Sequence, residues 1–429
     1  MNRRHFLKFL LGVMAFWAGG CFFPAAKDEA KKDLMPMTVG DLKLKNLRQI
    51  ITDNPAVSRM FMWQSNDKIP SATLEYRPKG AEGETKKIAA LDESFEDDGE
   101  KVFQYSARIE YLTPGGEYEY RIAAGENASA WQEFRATNTT GGFKAIIFPD
   151  SQSSDYNVWE NVAQNAIKAN PDADFFVGMG DLVDNGEDST QWQAWFAALL
   201  GLIDKIPFAP VMGNHETYDR KWQVRLPNAY LKYFAPPANN SEKFPRYYYS
   251  FTVGDVHFAV INTQWEETDE FADGLVGEQI SWLKNDVKKN GKKWNVALLH
   301  KDVLQYRISG RPERKEGFSD VGAIFMPLFE ELRFDVVFTA HLHTYRDRGR
   351  IKNFARDDTG PLYILTGIAG DVRYPNLWTD HALDEFVAPQ PETDNYIVFS
   401  ADNDKLTVAA YLPDGTEIEK REITKGDKT

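Results

Sequence analysis

Short alternating runs of hydrophobic and polar residues fill the chain from about Thr38 to Thr137. Examples lie at 59–63, 72–76 and 118–122, and the turn sequence Leu112-Thr113-Pro114-Gly115-Gly116 precedes the last of them. Side chains alternate between the two faces of a strand, so this period predicts half-buried strands rather than helices. About a hundred residues of spaced strands are typical of an antiparallel β-sandwich. We therefore predict an all-β sandwich domain over residues 38–138.

The pattern changes after the turn-forming segment 138–142, where buried-type strands begin to alternate with helical segments. Such alternation predicts an α/β domain, which we place at residues 142–424, with two packed sheets and outer helices. Further strands without intervening helices are predicted at 247–253, 256–262, 362–365, 396–400 and 406–411. The alternating elements are strands at 145–148, 175–178, 208–212, 294–299 and 336–339, and helices at 158–168, 191–203, 278–289 and 323–331.

The first residues carry a targeting pattern. Arg3 and Arg4 followed by Phe-Leu-Lys resemble a twin-arginine export signal, and the apolar stretch 9–17 is too short to span a bilayer. We predict a signal peptide at 1–20, a lipidated Cys21 and a tether over 21–37, and hence a bacterial cell-envelope location, at the periplasmic face or the cell surface. An ordinary cleaved signal with an incidental Cys21 is the alternative. Cys21 is the single cysteine, so no internal disulfide can form.

The charge balance excludes one class of partner. The formal net charge is −14, whereas a nucleic-acid backbone requires a basic binding face. A small phosphate ester remains possible as a substrate if bound metal cations invert the local field. The acidic cluster at 93–98 interrupts the β-sandwich pattern, and we expect it to form a solvated loop; no ligand spacing supports a calcium site there.

The candidate chemistry lies in short motifs that each follow an apolar run. They are Asp150-Ser151-Gln152, Gly180-Asp181-Leu182-Val183-Asp184, Gly213-Asn214-His215-Glu216, His300 after Leu298-Leu299, and His341-Leu342-His343. Ligands in open α/β sheets gather beyond the carboxyl ends of strands, which is where these residues fall. One aspartate after a strand is commonly a helix cap, and one histidine is commonly structural. The whole set, however, supplies the carboxylate, amide and imidazole ligands that a two-metal site needs.

The order and chemistry of these motifs resemble the calcineurin-like metallophosphoesterases and, within them, the purple acid phosphatases. The N-terminal strands resemble the fibronectin-type domain that precedes many of those enzymes. The resemblance implies hydrolysis of phosphate esters by a dinuclear centre with a metal-bound hydroxide as nucleophile. It implies that Asp181 bridges two metals and that His215 contacts the substrate. The remaining implied ligands are Asp150 and His343 at the first metal, and Asn214, His300 and His341 at the second.

This chain departs from the purple pattern in two places. Asp184 occupies the position where purple enzymes carry a tyrosine ligand to ferric iron, so we expect manganese, ferrous iron or zinc instead. Gln152 stands where the wider family usually has histidine. Its amide oxygen could bind the first metal, or it could be a plain loop residue, and the sequence leaves both open.

Substrate contacts and function are predicted more coarsely. Arg307 and Arg311 follow His300 in a basic segment and could bind phosphate oxygens, although a solvated loop is an equal alternative. We expect Tyr345 and Arg346 to support the adjacent ligands and His257 to be a core residue. The predicted activity is phosphomonoester hydrolysis on a small-molecule ester. The alternatives are a phosphodiesterase with the same centre and a non-enzymatic envelope scaffold.

Export is expected to require the arginine pair, and membrane attachment the thiol. Replacing both Arg3 and Arg4 by lysine should leave precursor in the cytoplasm, because the twin-arginine pathway reads the guanidinium pair. Cys21→Ala should abolish labelling by a radioactive fatty acid in growing cells. A mature N-terminus found elsewhere than Cys21 would contradict the lipid anchor while leaving the signal peptide in place.

Overall fold

The computed structural model describes residues 37–40, 42–389, 394–402 and 404–425. The predicted signal peptide, Cys21 and the tether up to residue 36 lie outside the described residues. In the described part of the chain, no helix is both long and apolar enough to cross a membrane.

The N-terminal region folds as two antiparallel sheets packed face to face. The first contains β1 (Thr38–Val39), β2 (Leu42–Ile50), β3 (Arg59–Ser65), β6 (Leu91–Asp92), β7 (Phe95–Asp97) and β8 (Glu100–Ile109). The second contains β4 (Ala72–Pro78), β5 (Lys86–Ala89), β9 (Glu117–Ala124), β10 (Asn127–Ala128) and β11 (Gln132–Arg135). Side chains that alternate inward, such as Phe61, Trp63 and Tyr120, are buried between the sheets. The predicted all-β sandwich is confirmed.

Two further sheets and their helices form the rest of the molecule. One sheet contains β12 (Phe143–Phe148), β13 (Phe175–Gly178), β14 (Phe208–Pro210), β25 (Tyr396–Asp402), β26 (Lys405–Tyr411) and β27 (Glu417–Thr424). The other contains β15 (Tyr249–Val253), β16 (Val256–Ile261), β17 (Trp294–Leu299), β20 (Val336–Thr339), β21 (Tyr345–Lys352), β22 (Ala355–Arg356), β23 (Leu362–Thr366) and β24 (Phe386–Val387). A small pair, β18 (Leu304–Gln305) and β19 (Gly317–Phe318), lies apart from them.

The helices cover the outer faces of these two sheets. They are α1 (Tyr156–Ala169), α2 (Ser189–Ala198), α3 (Asn228–Tyr233), α4 (Trp265–Thr268), α5 (Leu275–Asn290) and α6 (Asp320–Glu331). One apolar core lies between the sheets, and a second core joins α1 and α2 to the first sheet. A third joins α5 and α6 to the other sheet. The predicted α/β architecture, two sheets with outer helices, is therefore confirmed.

The central strands of both sheets run parallel, which brings their carboxyl ends to the same edge of the molecule. β12, β13 and β14 pair in parallel, as do β16, β17, β20 and β23. The candidate residues follow five of these strands, so the fold alone collects them in one place.

A backbone pairing joins the N-terminal sandwich to the first α/β sheet. Phe208 of β14 pairs in parallel with Ile50 of β2, so the strands form one 12-stranded sheet that crosses the domain boundary. The sequence predicts two separate sandwiches, because a single pairing between distant strands leaves no periodic pattern.

The acidic segment Glu93–Asp98 does not form the solvated loop that the sequence predicts. It packs against the α/β domain, where Asp97 pairs with Arg225 and the Asp98 carboxylate lies 3.2 Å from Arg220. Asp98 also accepts the backbone N–H of Ser189 at 3.0 Å. The other end of the segment reaches two more cations, with Glu93 oxygens 3.2 Å from Lys232 and 2.9 Å from Arg246. The expectation was wrong because these basic partners lie more than a hundred residues away in the chain. We call this segment the acidic clamp.

Breaking the acidic clamp should destabilise the protein measurably. The side chains of Asp97 and Arg225 are only 9% and 17% exposed, so Asp97→Ala leaves a largely desolvated guanidinium without its main partner. The free energy of unfolding in urea should fall by about 1–3 kcal/mol. The control Glu133→Ala removes a 62% exposed carboxylate that pairs with Lys79, and should cost less than about 1 kcal/mol. Equal losses for both variants would contradict a structural role for the clamp.

Candidate metal centre

The predicted ligands come from the carboxyl ends of strands in both sheets. Asp150, Asp181 and Asn214 follow β12, β13 and β14, whereas His300 and His341 follow β17 and β20. Asp150, Asp181 and His300 are fully or almost fully buried. Two carboxylates can be buried at such a site only if positive charge or hydrogen bonds compensate them. The centre is therefore built to receive cations.

Two groups of ligand atoms meet at the carboxylate of Asp181. Asp181, His300 and His341 form one group, and Asp150, Asp181 and His343 form the other. Within each group the ligand atoms all lie within 4.8 Å of one another. A shared carboxylate between two donor sets is the arrangement that a two-metal site requires.

The position of Asn214 completes the first group. The Nε2 atom of His300 lies 3.1 Å from Asp181 Oδ2 and 3.2 Å from the amide oxygen Oδ1 of Asn214. These three atoms converge from β13, β14 and β17 on one small volume. An amide oxygen is a neutral ligand, so it adds coordination without adding charge.

Backbone carbonyls orient two of the imidazoles. The Nδ1 atom of His300 donates to the Met179 carbonyl at 2.9 Å, and Nδ1 of His343 donates to the Val372 carbonyl at 2.7 Å. A carbonyl can only accept, so each ring carries a proton on Nδ1 and directs its Nε2 atom toward the centre, where a bound cation would take the place of a proton on Nε2. The Nε2 atom of His343 lies 3.2 Å from Asp150 Oδ2.

Two buried polar atoms of the predicted ligand residues have no hydrogen-bond partner among the described residues. They are Nδ1 of His341, which lies 4.0 Å from Asp181 Oδ2, and the amide oxygen of Gln152. Leaving a buried acceptor unsatisfied costs about 1–3 kcal/mol, so such atoms require an explanation. A cation bound at the first group would satisfy the His341 nitrogen. The donor set of oxygens and imidazole nitrogens fits manganese, iron or zinc.

The electrostatic field of the centre favours positive charge. Burial alone would lower the pKa of the His300 imidazole, but the negative charges of Asp181 and Asp150 and the hydrogen bonds to Asp181 and Met179 together raise that pKa to about 9. Burial likewise would raise the pKa of Asp181, yet His300 and His215 hold it well below its ordinary value. The site thus stabilises an anionic carboxylate beside cationic groups.

The loops carrying Asp181 and Asn214 touch through their backbones. A Cβ atom on Gly213 would lie 2.2 Å from the Asp181 amide nitrogen, so only glycine allows this approach. The Glu216 carboxylate accepts the backbone N–H groups of Asp181, Leu182 and Gly213 at 2.7–3.0 Å. Glu216 therefore positions both loops, a role that the sequence motif contains but does not reveal.

Three candidate ligands hold a backbone conformation that side-chain-bearing residues rarely adopt. The φ angles of Asp181, His341 and His343 are 47°, 77° and 53°. Such left-handed residues cost on the order of 1–3 kcal/mol each, and they concentrate at functional sites. The strained backbone of these three residues therefore supports a functional site here, because directing their side chains lowers the stability of the folded protein.

His215 lies beside the two groups without joining them. Its Nδ1 atom donates to the Asp184 carbonyl at 2.7 Å, and its Nε2 atom lies 3.8 Å from Asp181 Oδ2. Its backbone N–H also donates to Asp181 Oδ1 at 2.8 Å. The ring is therefore fixed with Nε2 directed toward the centre.

The two arginines proposed for substrate lie in a different setting. Arg307 is 52% exposed and its Nε atom lies 3.4 Å from Glu316, and the N–H of Arg311 donates to the carbonyl of Ile308. Their segment forms a β-bridge from Ile308 to Trp378, whose Nε1 donates to the carbonyl of Leu342 at 2.8 Å. The assignment of both arginines to substrate binding stays a prediction.

The residues after the His341-Leu342-His343 motif support the strand rather than the ligands directly. Arg346 is buried and pairs with Asp384 at 2.7 Å. The hydroxyl of Tyr345 donates to Glu419 at 2.9 Å. His257, as expected, is a core residue, and its Nε2 atom lies 2.8 Å from Asp286. A residue that the sequence analysis missed is Tyr374, whose ring stacks on His343 at 4.9 Å between ring centroids.

Comparison with known proteins agrees with this geometry. Residues 143–345 match the calcineurin-like phosphoesterase family, and residues 45–136 match the purple acid phosphatase N-terminal domain. The chain is 30% identical over 185 residues to purple acid phosphatase 23 of Arabidopsis thaliana, an alignment covering 42% of this chain and 38% of that protein. It is 29% identical over 210 residues to purple acid phosphatase 15 of the same plant, covering 47% of this chain and 36% of that protein. The chain thus spans less than two fifths of these relatives' length.

The comparison with solved structures concerns the fold. A purple acid phosphatase from yellow lupin superimposes with a TM-score of 0.72 at 17% identity, over 89% of this chain and 74% of that one. Together with the family matches, this confirms the predicted resemblance in both domains.

Asp181 should matter more than any other ligand, because it alone belongs to both groups. Asp181→Asn keeps the size of the side chain but removes the charge that offsets two cations. Metal content, measured by mass spectrometry on protein loaded with manganese or zinc, should fall from two equivalents to one or fewer. The control Asp286→Asn changes a buried carboxylate outside the centre and should keep two equivalents. Two retained equivalents in Asp181→Asn would contradict the shared-ligand assignment.

Proposed function

We propose that this chain, which joins a calcineurin-like phosphoesterase domain to a purple acid phosphatase N-terminal domain, hydrolyses phosphate esters of small molecules. The observation that carries the proposal is the Asp181 carboxylate shared by two donor groups, with His215 held beside them. We assign Asp150, His343 and Gln152 to one metal and Asn214, His300 and His341 to the other. When bound, two such cations supply a nucleophile at neutral pH and neutralise the charge of the phosphoryl group.

The residues of the chain supply position and proton transfer. Asp181 would contribute its carboxylate to both metal sites, and Glu216 fixes the loops that carry Asp181 and Asn214. His215 is kept from rotating by its bond to the Asp184 carbonyl, so its Nε2 atom faces the reacting group. In that position it can donate a proton to the leaving oxygen or stabilise charge on the phosphoryl oxygens. A scaffold protein would have no use for this histidine.

The place of action is a separate proposal. The Arg3-Arg4 segment and Cys21 support export to the bacterial envelope and attachment through a lipid. The net charge of −14 favours a small ester over a nucleic acid as the partner.

His215→Ala should separate catalysis from metal binding. Because His215 touches no proposed ligand atom other than the Asp181 carboxylate, the variant should keep both metals. Its turnover should fall by roughly the 10²–10⁴-fold typical of a positioned acid or base. The control His257→Gln changes an equally buried histidine outside the centre, and it should affect turnover far less. Loss of metal in His215→Ala, or unchanged turnover, would remove His215 from its assigned role.

The class of ester can be decided with one screen. A monoester carries more charge on its terminal oxygens than a diester, so it gains more from two metal cations. The metal-loaded protein should therefore cleave the monoester phenyl phosphate faster than the diester diphenyl phosphate. Faster diester cleavage would replace the monoesterase with a phosphodiesterase. If the loaded protein cleaved neither ester, the enzymatic proposal would fail in favour of the scaffold.

A further inference from the structure

A short hairpin after His215 carries an aromatic residue at the edge of the centre. Tyr218 and Val224 form its β-bridge, and the N–H of Asp219 donates to the Gln223 carbonyl at 2.9 Å. Trp222 lies at the turn with a φ angle of 61°, and its own N–H donates to the Asp219 carbonyl at 2.9 Å. A bulky residue in left-handed backbone is a conformational outlier, and such outliers mark functional sites.

The indole of Trp222 lies directly against the His215 imidazole. The two ring centroids are 5.5 Å apart and the ring planes are perpendicular. Tyr218 approaches the same imidazole edge-on at 5.8 Å. His215 is buried, whereas Trp222 is partly exposed. The aromatic surface therefore continues from the reacting histidine outward to solvent.

The hairpin is held from both ends by the acidic clamp of the N-terminal sandwich. Asp98 lies 3.2 Å from Arg220 and Asp97 pairs with Arg225, and these two arginines stand on either side of Trp222 in the chain. The N–H of Arg225 also donates to the Thr217 carbonyl at 2.8 Å, which ties the hairpin back to the His215 loop. Trp222 is thus a fixed surface, and a fixed aromatic surface loses little entropy when a ligand binds.

We propose that Trp222 selects esters whose leaving group carries a flat aromatic ring, an inference that rests on the proposed phosphoesterase function. The leaving oxygen must lie near His215 to receive its proton, so the group attached to that oxygen extends along Trp222. A flat ring there would stack on the indole, and water would be displaced from the facing surfaces of the two rings. Stacking of a base on an aromatic side chain is worth roughly 1–3 kcal/mol, or about 5- to 150-fold in affinity. An alkyl leaving group gains much less.

The aromatic ring could be attached to the ester oxygen directly or through a sugar. Phenyl phosphate places the ring on the oxygen itself, whereas adenosine monophosphate places it beyond a ribose. Glycerol 3-phosphate has no ring and serves as the reference substrate. The preference is measured as the ratio of kcat/KM for each aromatic ester to kcat/KM for glycerol 3-phosphate.

Three variants of Trp222 test the proposal on metal-loaded, full-length protein. Trp222→Ala and Trp222→Leu should each lower the ratio by about tenfold or more for at least one aromatic ester, because neither offers a flat ring. Trp222→Phe should keep most of the wild-type ratio, because phenylalanine still offers a flat ring. The ester that responds identifies whether the ring is bound near the phosphoryl group or beyond a sugar. Because each variant is compared with itself on two substrates, a general loss of folding or metal cancels from the ratio.

Trp131→Ala is the matched control, since Trp131 is also partly exposed but packs between Arg77 and Arg121 in the N-terminal sandwich. Its ratio should equal that of the wild type. If all Trp222 variants kept the wild-type ratio for both aromatic esters, Trp222 would have no part in selection, and phosphoesterase activity would still stand. If the wild-type protein turned over none of the three esters, the proposed function itself would fail and this inference with it.

Discussion

The carboxylate of Glu216 is the contact on which the centre depends. It binds three backbone N–H groups from two loops, and it does so where Gly213 leaves no room for a side chain. Those loops end neighbouring parallel strands, so the distance between Asp181 and Asn214 is fixed by backbone rather than by flexible side chains. Without the hydrogen bonds of Glu216, the shared carboxylate of Asp181 would have no defined position relative to the histidines of the second sheet. Each ligand could then be present and the site still too loose to work.

The clustering of the candidate ligands could be predicted from sequence because most of them follow an apolar run that ends a strand. Position in such a fold follows from order along the chain, since parallel strands deliver their carboxyl ends to one edge. The sandwich domain could also be predicted, because hydrophobic and polar residues alternate along its strands. Boundaries were less accurate: the helix expected at 191–203 ends at Ala198, because the residues after it form turns.

Buried charge was the main thing that the sequence could not predict. β21 reads as polar, yet Arg346 and Arg348 lie inside the protein, paired with Asp384 and Asp302. The acidic clamp posed the same problem, since the three arginines and the lysine that pair with it belong to another domain. A charged residue is predicted to be exposed unless its partner is known, and partners distant in sequence cannot be recognised from pattern or propensity. For the same reason the link between the N-terminal sandwich and the hairpin beside His215 became visible only in three dimensions.

The pairing order of the first α/β sheet constrains how the molecule can form. β12, which leads into Asp150, lies between β13 and β25, and its residue Phe143 pairs with Ala401. A ribosome must therefore synthesise the chain through β25 before this strand can acquire both neighbours. Contacts of such long sequence separation slow folding and leave an apolar strand edge unpaired during synthesis. The nascent chain should depend on chaperones at that stage, and a truncation that removes β25 should be more harmful than its distance from the candidate ligands would suggest.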